Sequence, residues 1–217
     1  MGQPRTAPVV VGEDHSFSKR GYDYLIDHIL TGRIQPGDEI NRRQVADDLG
    51  VSLAPINEAV AQLQSDGFVE VSPRRQTRVR IIRKEDVRGL VILREAIECQ
   101  AARIYCGEPV IREKKALLEL ALAVDGTQGG TRENELAEQA FHRALILLVD
   151  CAILLQEFDK IMRRRLFHMI NIVTPWHSQP PLDSHQKLLK KLQSSSPDEA
   201  EAAMRLHLER GREGLVR

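Results

Sequence analysis

The stretch PGDEINRRQVADDLGVSLAPINEAVAQLQSDGFVEVSPRRQTRVRI, residues 36 to 81, decides the fold of the first part of this chain. Apolar residues recur at helical spacing on both sides of Gly50, and an extended run begins after Gly67. Gly50 can end the first helix in the left-handed conformation, and Ser52 is placed to cap the second. Helix, turn, helix and hairpin in this order predict a winged helix-turn-helix, whose second helix suits the DNA major groove.

A third amphipathic stretch precedes this segment. Its apolar stripe, beginning at Tyr22, predicts a helix from about Ser18 to Thr31. The opening residues contain proline and glycine and show no helical period, so we predict a flexible arm at 1–16. The winged helix-turn-helix domain is then expected to occupy residues 17–83.

Residues 84–217 have a different pattern of apolar residues. Apolar residues recur there at three- and four-residue spacing without strand-like alternation, which predicts an all-α bundle of about six helices. With 217 residues and 42% apolar side chains, the chain can bury two small cores. The fold class is therefore expected to be mainly α. The predicted helices of the second domain cover residues 85–105, 111–124, 131–149, 151–172, 183–193 and 197–215.

The charge balance excludes a general attraction to nucleic acid or to a membrane. The chain carries 31 basic and 31 acidic side chains, so any DNA contact requires a local patch. Six basic residues without an acid follow Ser72, and a solvated hairpin edge that resists aggregation is the alternative reading of them. These residues are Arg74, Arg75, Arg78, Arg80, Arg83 and Lys84.

Targeting signals and cysteine usage limit the location of the protein. No apolar run approaches the roughly 20 residues needed to span a bilayer, and residues 1–16 lack a secretory core, so we expect a cytoplasmic protein with no membrane partner. Cys99, Cys106 and Cys151 are odd in number and lack metal-type spacing. They are predicted to be buried, reduced thiols.

The first domain contains three short motifs: G-x-I-x-P-G at 32–37, L-G-V-S at 49–52 and L-x-x-x-G-F-V at 63–69. With these motifs it resembles the GntR family of bacterial transcription regulators, and the similarity extends over residues 18 to 82 nearly without gaps. The resemblance implies binding to a double-stranded DNA operator. The contacts would come from the helix before Gly50, from the start of the recognition helix after it and from the wing tip. The implied DNA-contacting residues are Arg43, Ser52, Leu53, Ala54, Asn57, Arg74, Arg75 and Gln76.

Three of these positions depart from the family pattern. Leu53 and Asn57 stand where the family usually has arginine, and Gln76 stands where it has glycine. Each missing arginine removes a potential bidentate guanine contact worth roughly 1–3 kcal/mol of discrimination. Asn57 could instead pair with adenine, and Arg74 and Arg75 could contact phosphates.

A group of polar residues in the second domain has the composition of a metal site. Glu138 and His142 are four residues apart and share a helical face, while His185 and His207 lie on two later predicted helices. Imidazole and carboxylate ligands suit Zn, Ni, Fe or Mn without choosing among them. The alternative reading is a surface pair on one helix and two unrelated histidines.

Arg94 and Glu98 form an R-x-x-x-E motif in the second domain. Residues 138–142 match a D-x-x-F-H motif with Glu138 in place of aspartate, and each of the last two predicted helices bears a histidine. With these features the second domain resembles the FCD domain of the FadR-type branch of GntR regulators, over residues 85 to 215. The resemblance implies that Glu138, His142, His185 and His207 hold a divalent metal beneath a pocket for a small organic acid.

These features predict a ligand-responsive, homodimeric transcription regulator. Arg94 and His168 are candidate contacts for the organic acid, although a structural salt bridge from Arg94 to Glu98 is the stronger expectation for Arg94. A metal-dependent hydrolase or isomerase acting on a small carboxylate is the alternative. The sequence lacks a His-Glu-x-x-His helix, a glycine-rich phosphate loop and a Gly-x-Ser-x-Gly nucleophile motif, which disfavours that enzyme.

Overall fold

The computed structural model describes residues 11–72, 76–129, 131–171, 184–194 and 196–210. The chain divides into two compact units, and the division falls between Ile81 and Ile82. The first unit contains three helices and a hairpin, and the second is an all-helical bundle. The predicted fold class, mainly α with a winged helix-turn-helix followed by a bundle, is confirmed.

The N-terminal unit has the predicted element order. Its elements are α1 (Val11–Leu30), α2 (Arg42–Leu49), α3 (Leu53–Ser65), β1 (Val69–Val71) and β2 (Thr77–Val79). The strands pair antiparallel with Val71 opposite Thr77, and a single antiparallel bridge between Glu39 and Arg78 joins a third segment of chain to the two-stranded wing. Helix α1 begins at Val11, earlier than the predicted Ser18, because the apolar stripe that marks the helix in the sequence covers only its second half. Residues 11–16 of the predicted flexible arm are therefore helical, and residues 1–10 lie outside the described residues.

Local capping explains why α2 is short and well bounded. The Asn41 side chain accepts hydrogen bonds from the backbone N–H groups of Arg43 and Gln44, and Gly50 ends the helix with φ +64°. Ser52 occupies the N-cap position of α3, as predicted, but its side chain makes no cap hydrogen bond. The core between α1, α3 and the wing is fully buried. Its members include Leu25, Ile29, Ile56, Leu63, Phe68 and Val79.

The C-terminal unit contains seven helices in its described residues. They are α4 (Lys84–Tyr105), α5 (Glu108–Arg112), α6 (Lys114–Asp125), α7 (Arg132–Leu147), α8 (Ala152–Asn171), α9 (His185–Ser194) and α10 (Pro197–Arg210). The predicted helix over 111–124 is split at Glu113, where φ is −96° and ψ is 11°. Helix α4 packs on α7, α8 and α10, while α6 packs on α7 and α9. This arrangement brings α7, α9 and α10 around one buried centre.

The cysteines differ in exposure. All three are free thiols, but only Cys99 is buried, whereas Cys106 is half-buried and Cys151 is exposed. The prediction of a buried thiol is therefore wrong for Cys151, which lies in the turn between α7 and α8 and has no core to face. Among the described residues, no helix has the length and apolar character needed to cross a membrane.

Candidate functional site

Three histidines from three helices meet inside the C-terminal bundle. His142 lies in α7, His185 is the first residue of α9, and His207 lies in α10; their exposures are 0%, 1% and 6%. One ring nitrogen from each can be chosen so that all three lie within 4.8 Å of one another. The spacing suits three ligands of a single ion.

Glu138 completes this group from one helical turn before His142. Its Oε1 lies 3.1 Å from His185 Nε2, and its Oε2 lies 3.5 Å from His142 Nε2. The side chain is 14% exposed, so the extra methylene relative to aspartate still leaves the carboxylate inside the bundle. The structure thus brings together all four residues named from the sequence.

A carboxylate behind His142 fixes the orientation of that ring. Glu98 in α4 accepts a hydrogen bond from His142 Nδ1 and also pairs with Arg94, one turn earlier in the same helix. The predicted Arg94–Glu98 salt bridge is confirmed. Because Nδ1 is engaged by Glu98, the Nε2 atom of His142 is the one that remains for a ligand.

Asp125 performs the same task for His185. This last residue of α6 accepts hydrogen bonds from the backbone N–H of His185 and from its ring Nδ1, both at 2.9 Å. It also accepts from the backbone and side-chain amides of Gln186. Asp125 therefore caps α9 and directs His185 Nε2 toward Glu138.

The unsatisfied ring nitrogens indicate that the group fits a cation. His142 Nε2, His185 Nε2 and His207 Nδ1 are buried and have no hydrogen-bond partner in the described part of the chain. Although Glu138 is close to two of these atoms, the contacts lack hydrogen-bond alignment. Unpaired buried polar atoms are costly, and a divalent ion would accept lone pairs from all of them.

The protonation states of the carboxylates and of His207 also suit metal binding. Burial would raise the pKa of Glu98, but Arg94 and His142 lower it to about 2. Burial would likewise raise the pKa of Glu138, yet the neighbouring imidazoles hold it well below the usual range. Burial and the nearby His142 lower the pKa of His207 to about 3. At neutral pH the site therefore presents ionised carboxylates and a neutral His207, as metal ligation requires. Burial would lower the pKa of His185, but Glu138 and Asp125 raise it, so a metal ion competes with a proton for this ring.

Further charged residues adjoin this centre. Arg94 is 11% exposed, and its Nη2 lies 3.7 Å from Glu138 Oε2. Glu135, one turn before Glu138, is buried and pairs with Arg165 of α8. His168 is buried in α8 but does not join the three-histidine group. Arg94 therefore lies beside the candidate metal ligands, while the role of His168 stays a prediction.

The predicted DNA-contacting residues that the structure describes lie on the outside of the N-terminal unit. Arg43 is exposed at the start of α2, and Ser52, Leu53, Ala54 and Asn57 are exposed at the start of α3. Gln76 is exposed beside β2. The two wing arginines, Arg74 and Arg75, fall outside the described residues. All of these contacts remain predictions.

Sequence reasoning missed several residues that organise both sites. Asp125 stands next to a glycine just after a predicted helix, and no sequence spacing indicates that it caps a helix far along the chain. Arg42 adjoins Arg43, and its contacts with α3 and β2 depend on the tertiary structure. Glu135 and Arg165 lie on separate helices, so no sequence spacing reveals their pairing.

Comparison with known families assigns both units. The family described as "Bacterial regulatory proteins, gntR family" matches residues 17–79. The family described as "FCD domain" matches residues 90–210, which is more than half of the chain.

Individual relatives extend over most of the chain. A probable D-xylose utilization operon transcriptional repressor from Paenarthrobacter nicotinovorans is 27% identical, covering 86% of this chain and 83% of the relative. The transcriptional repressor RspR of Escherichia coli is 24% identical, covering 87% and 84%. Among solved structures, a GntR-type regulator from a Rhodococcus species superposes with a TM-score of 0.70 at 22% identity, covering 89% of this chain and 94% of the other. The structural similarity shows a shared fold.

Proposed function

Because the chain belongs to the GntR family of bacterial regulatory proteins, in the FadR-like branch with a C-terminal FCD domain, we propose that a small organic acid bound at a metal in that domain controls its DNA binding. Members of this family are transcription regulators, so the chain is a DNA-binding transcription regulator, not an enzyme. The enzymatic alternative has no support beyond the presence of possible metal ligands.

The group of buried, unpaired imidazole nitrogens carries the proposal. His142, His185 and His207 would hold the metal together with Glu138, and Glu98 and Asp125 would keep two of the rings oriented. A divalent ion, Zn, Ni, Fe or Mn, would supply positive charge and open coordination positions for a carboxylate. Arg94 is close enough to add a second positive charge on the same side as Glu138.

Control of transcription requires that the two binding events be linked. We propose a homodimer that reads a roughly palindromic operator, because paired half-sites match a two-fold symmetric protein. An organic acid that prefers the DNA-incompetent arrangement would weaken operator affinity. His168 is a candidate contact for the acid because it is buried in the same bundle.

Native mass spectrometry of protein purified without chelator or added metal tests the metal and the dimer together. We expect a dimer with one divalent ion per chain, and we expect the ion to be lost in Glu138→Ala and His185→Ala. His28→Ala is the matched control, since this histidine lies in the other unit and stacks on Tyr24. If the wild-type protein contains no more metal than the two site variants, the proposed metal centre is wrong.

DNA binding is measured separately by fluorescence anisotropy on a duplex taken from the region upstream of the protein's own gene. We expect salt-sensitive binding, because phosphate contacts release counterions. Adding a panel of mono-, di- and tricarboxylates to the metal-loaded protein should identify at least one that changes this affinity. If no carboxylate changes DNA affinity or thermal stability, effector control by an organic acid is wrong.

A further inference from the structure

One arginine ties together three elements of the DNA-binding unit. Arg42, the first residue of α2, donates from Nε and Nη2 to the hydroxyl oxygen of Thr77 in β2, at 2.8 Å and 2.5 Å. Its Nη1 donates to Asn57 Oδ1 in α3, at 3.0 Å. Thr77 is 1% exposed, so the guanidinium is anchored on a buried group and reaches outward to an exposed one.

The chemistry of this contact fixes the Asn57 amide. A guanidinium can only donate hydrogen bonds, so the amide atom that faces Arg42 must be the oxygen. The amide nitrogen, with its two N–H groups, is then the end that is not engaged by Arg42. Asn57 is exposed on α3, where the recognition helix of this fold faces DNA.

We propose that Arg42 is a specificity-determining residue that acts through Asn57, making Asn57 a hydrogen-bond donor that selects guanine in the major groove. Guanine presents two acceptors, N7 and O6, whereas adenine presents one acceptor and one amino donor. The amide oxygen has a second lone pair, but the guanidinium bound at the first weakens it as an acceptor for the adenine amino group. The positive charge beside it further favours the base edge that carries only acceptors.

This inference changes the expectation drawn from residue type alone. A free asparagine pairs with adenine by accepting from N6 and donating to N7 at once. Here one lone pair of the accepting oxygen is engaged by Arg42, so the preference moves from adenine toward guanine. Arg42 also connects the recognition helix to the wing strand, so the orientation of Asn57 is set by the tertiary structure.

Selection of bound duplexes from a randomised DNA library, using the full-length protein, tests the proposal. The base read by Asn57 is identified as the position whose preference disappears in Asn57→Ala. At that position the wild type should select guanine over adenine by about tenfold. Selection of adenine there, or no position at which Asn57→Ala changes the preference, would overturn the proposal.

Two further variants separate orientation from folding. Arg42→Ala frees the amide and should move the preference at that position toward adenine, an effect that simple loss of stability would not produce. Asn57→Asp keeps the acceptor for Arg42 but removes the donor, so the selected base should change from guanine to cytosine, whose amino group donates. An unchanged base in both variants contradicts the proposal.

The matched control is Arg33→Ala, which removes a positive charge from the same unit at an exposed pair with Asp27. We expect it to leave every base preference unchanged. The inference rests on DNA binding and not on effector control, because the selection contains no organic acid. Failure of the carboxylate response and failure of the guanine preference are therefore distinguishable.

Discussion

Glu98 illustrates at the residue scale what sequence spacing can and cannot predict. Its pair with Arg94 follows from a separation of four residues on one helix, and the structure confirms it. Its second partner, His142, is distant in sequence and becomes a neighbour only when α4 packs on α7. The ligand types of the candidate centre were therefore predictable from the sequence, whereas the carboxylates that orient them were not.

Removing the Glu98 carboxylate should destabilise the C-terminal unit. Glu98→Ala leaves the buried Arg94 guanidinium and His142 Nδ1 without their main partner, and breaking a buried ion pair costs about 3–5 kcal/mol. Glu157→Ala, at an exposed pair with Lys160, should change the free energy of unfolding by less than about 1 kcal/mol. Urea unfolding followed by circular dichroism compares the two. If both variants lose the same free energy of unfolding, burial of the Glu98 pair contributes nothing to stability.

The cysteines should differ sharply in reactivity. Burial raises the pKa of Cys99 to about 11, and the nearby Glu98 carboxylate acts in the same direction, while Arg205 opposes it. The thiolate is the reactive form, so at pH 8 Cys99 should react with iodoacetamide about 100-fold more slowly than a thiol of ordinary pKa. Peptide mapping should find Cys151, which is exposed, labelled first. In urea the difference should disappear; if it is already absent in the folded protein, the assignment of Cys99 as a buried thiol is wrong.

At the scale of elements, periodicity located most helices but not their interruptions. The helices from α7 to α10 were each predicted within a few residues of at least one observed end, because their apolar stripes face one core. The break at Glu113 has no glycine or proline to mark it. Asp125 shows the complementary limit, since it ends α6 in sequence but caps α9 in space.

Two helical glycines should respond oppositely to the same substitution. In α4, a Cβ on Gly89 would meet nothing within 4 Å, so Gly89→Ala should stabilise the helix by about 0.5–1 kcal/mol. In α1, a Cβ on Gly21 would lie 2.9 Å from Ile56 Cδ1 and 3.2 Å from Ala59 Cβ. Gly21→Ala should therefore push α1 from α3 and lose stability despite the better helix propensity. Amide hydrogen exchange in α3 and α4 measures each effect locally, and faster exchange in α4 of Gly89→Ala would contradict the argument.

Asp125 should control metal affinity through the α6–α9 junction. Asp125→Ala removes the acceptor for the His185 N–H and Nδ1, so we expect Zn affinity, measured by chelator competition, to fall about 10- to 100-fold. Asp125→Asn keeps one oxygen acceptor, so its Zn affinity should fall less than that of Asp125→Ala. Asp198→Ala is the control. It removes an exposed carboxylate on α10 that pairs with Arg103 of α4, and it should leave Zn affinity unchanged. A metal affinity unaffected by Asp125→Ala would show that His185 needs no orienting partner.

At the scale of the whole molecule, the chain combines an overall charge of zero with two separate cores. The first core supports the helix and wing that are predicted to contact DNA, and the second encloses the candidate metal centre. Each unit has its own set of buried residues. Regulation by the proposed mechanism therefore requires an energetic link between the units.

That link has a reciprocal signature that can be measured. If a carboxylate lowers operator affinity by some factor, saturating operator DNA must lower the affinity for the same carboxylate by the same factor, because both describe one coupling free energy. We expect a factor of about 5 to 150, equivalent to about 1–3 kcal/mol. Titration calorimetry of the acid with and without DNA, paired with anisotropy with and without the acid, gives both factors. His207→Ala, which removes one proposed ligand, should reduce both to unity, whereas His28→Ala should change neither. If a carboxylate changes operator affinity equally for metal-loaded and chelator-treated protein, its binding site lies away from the three histidines.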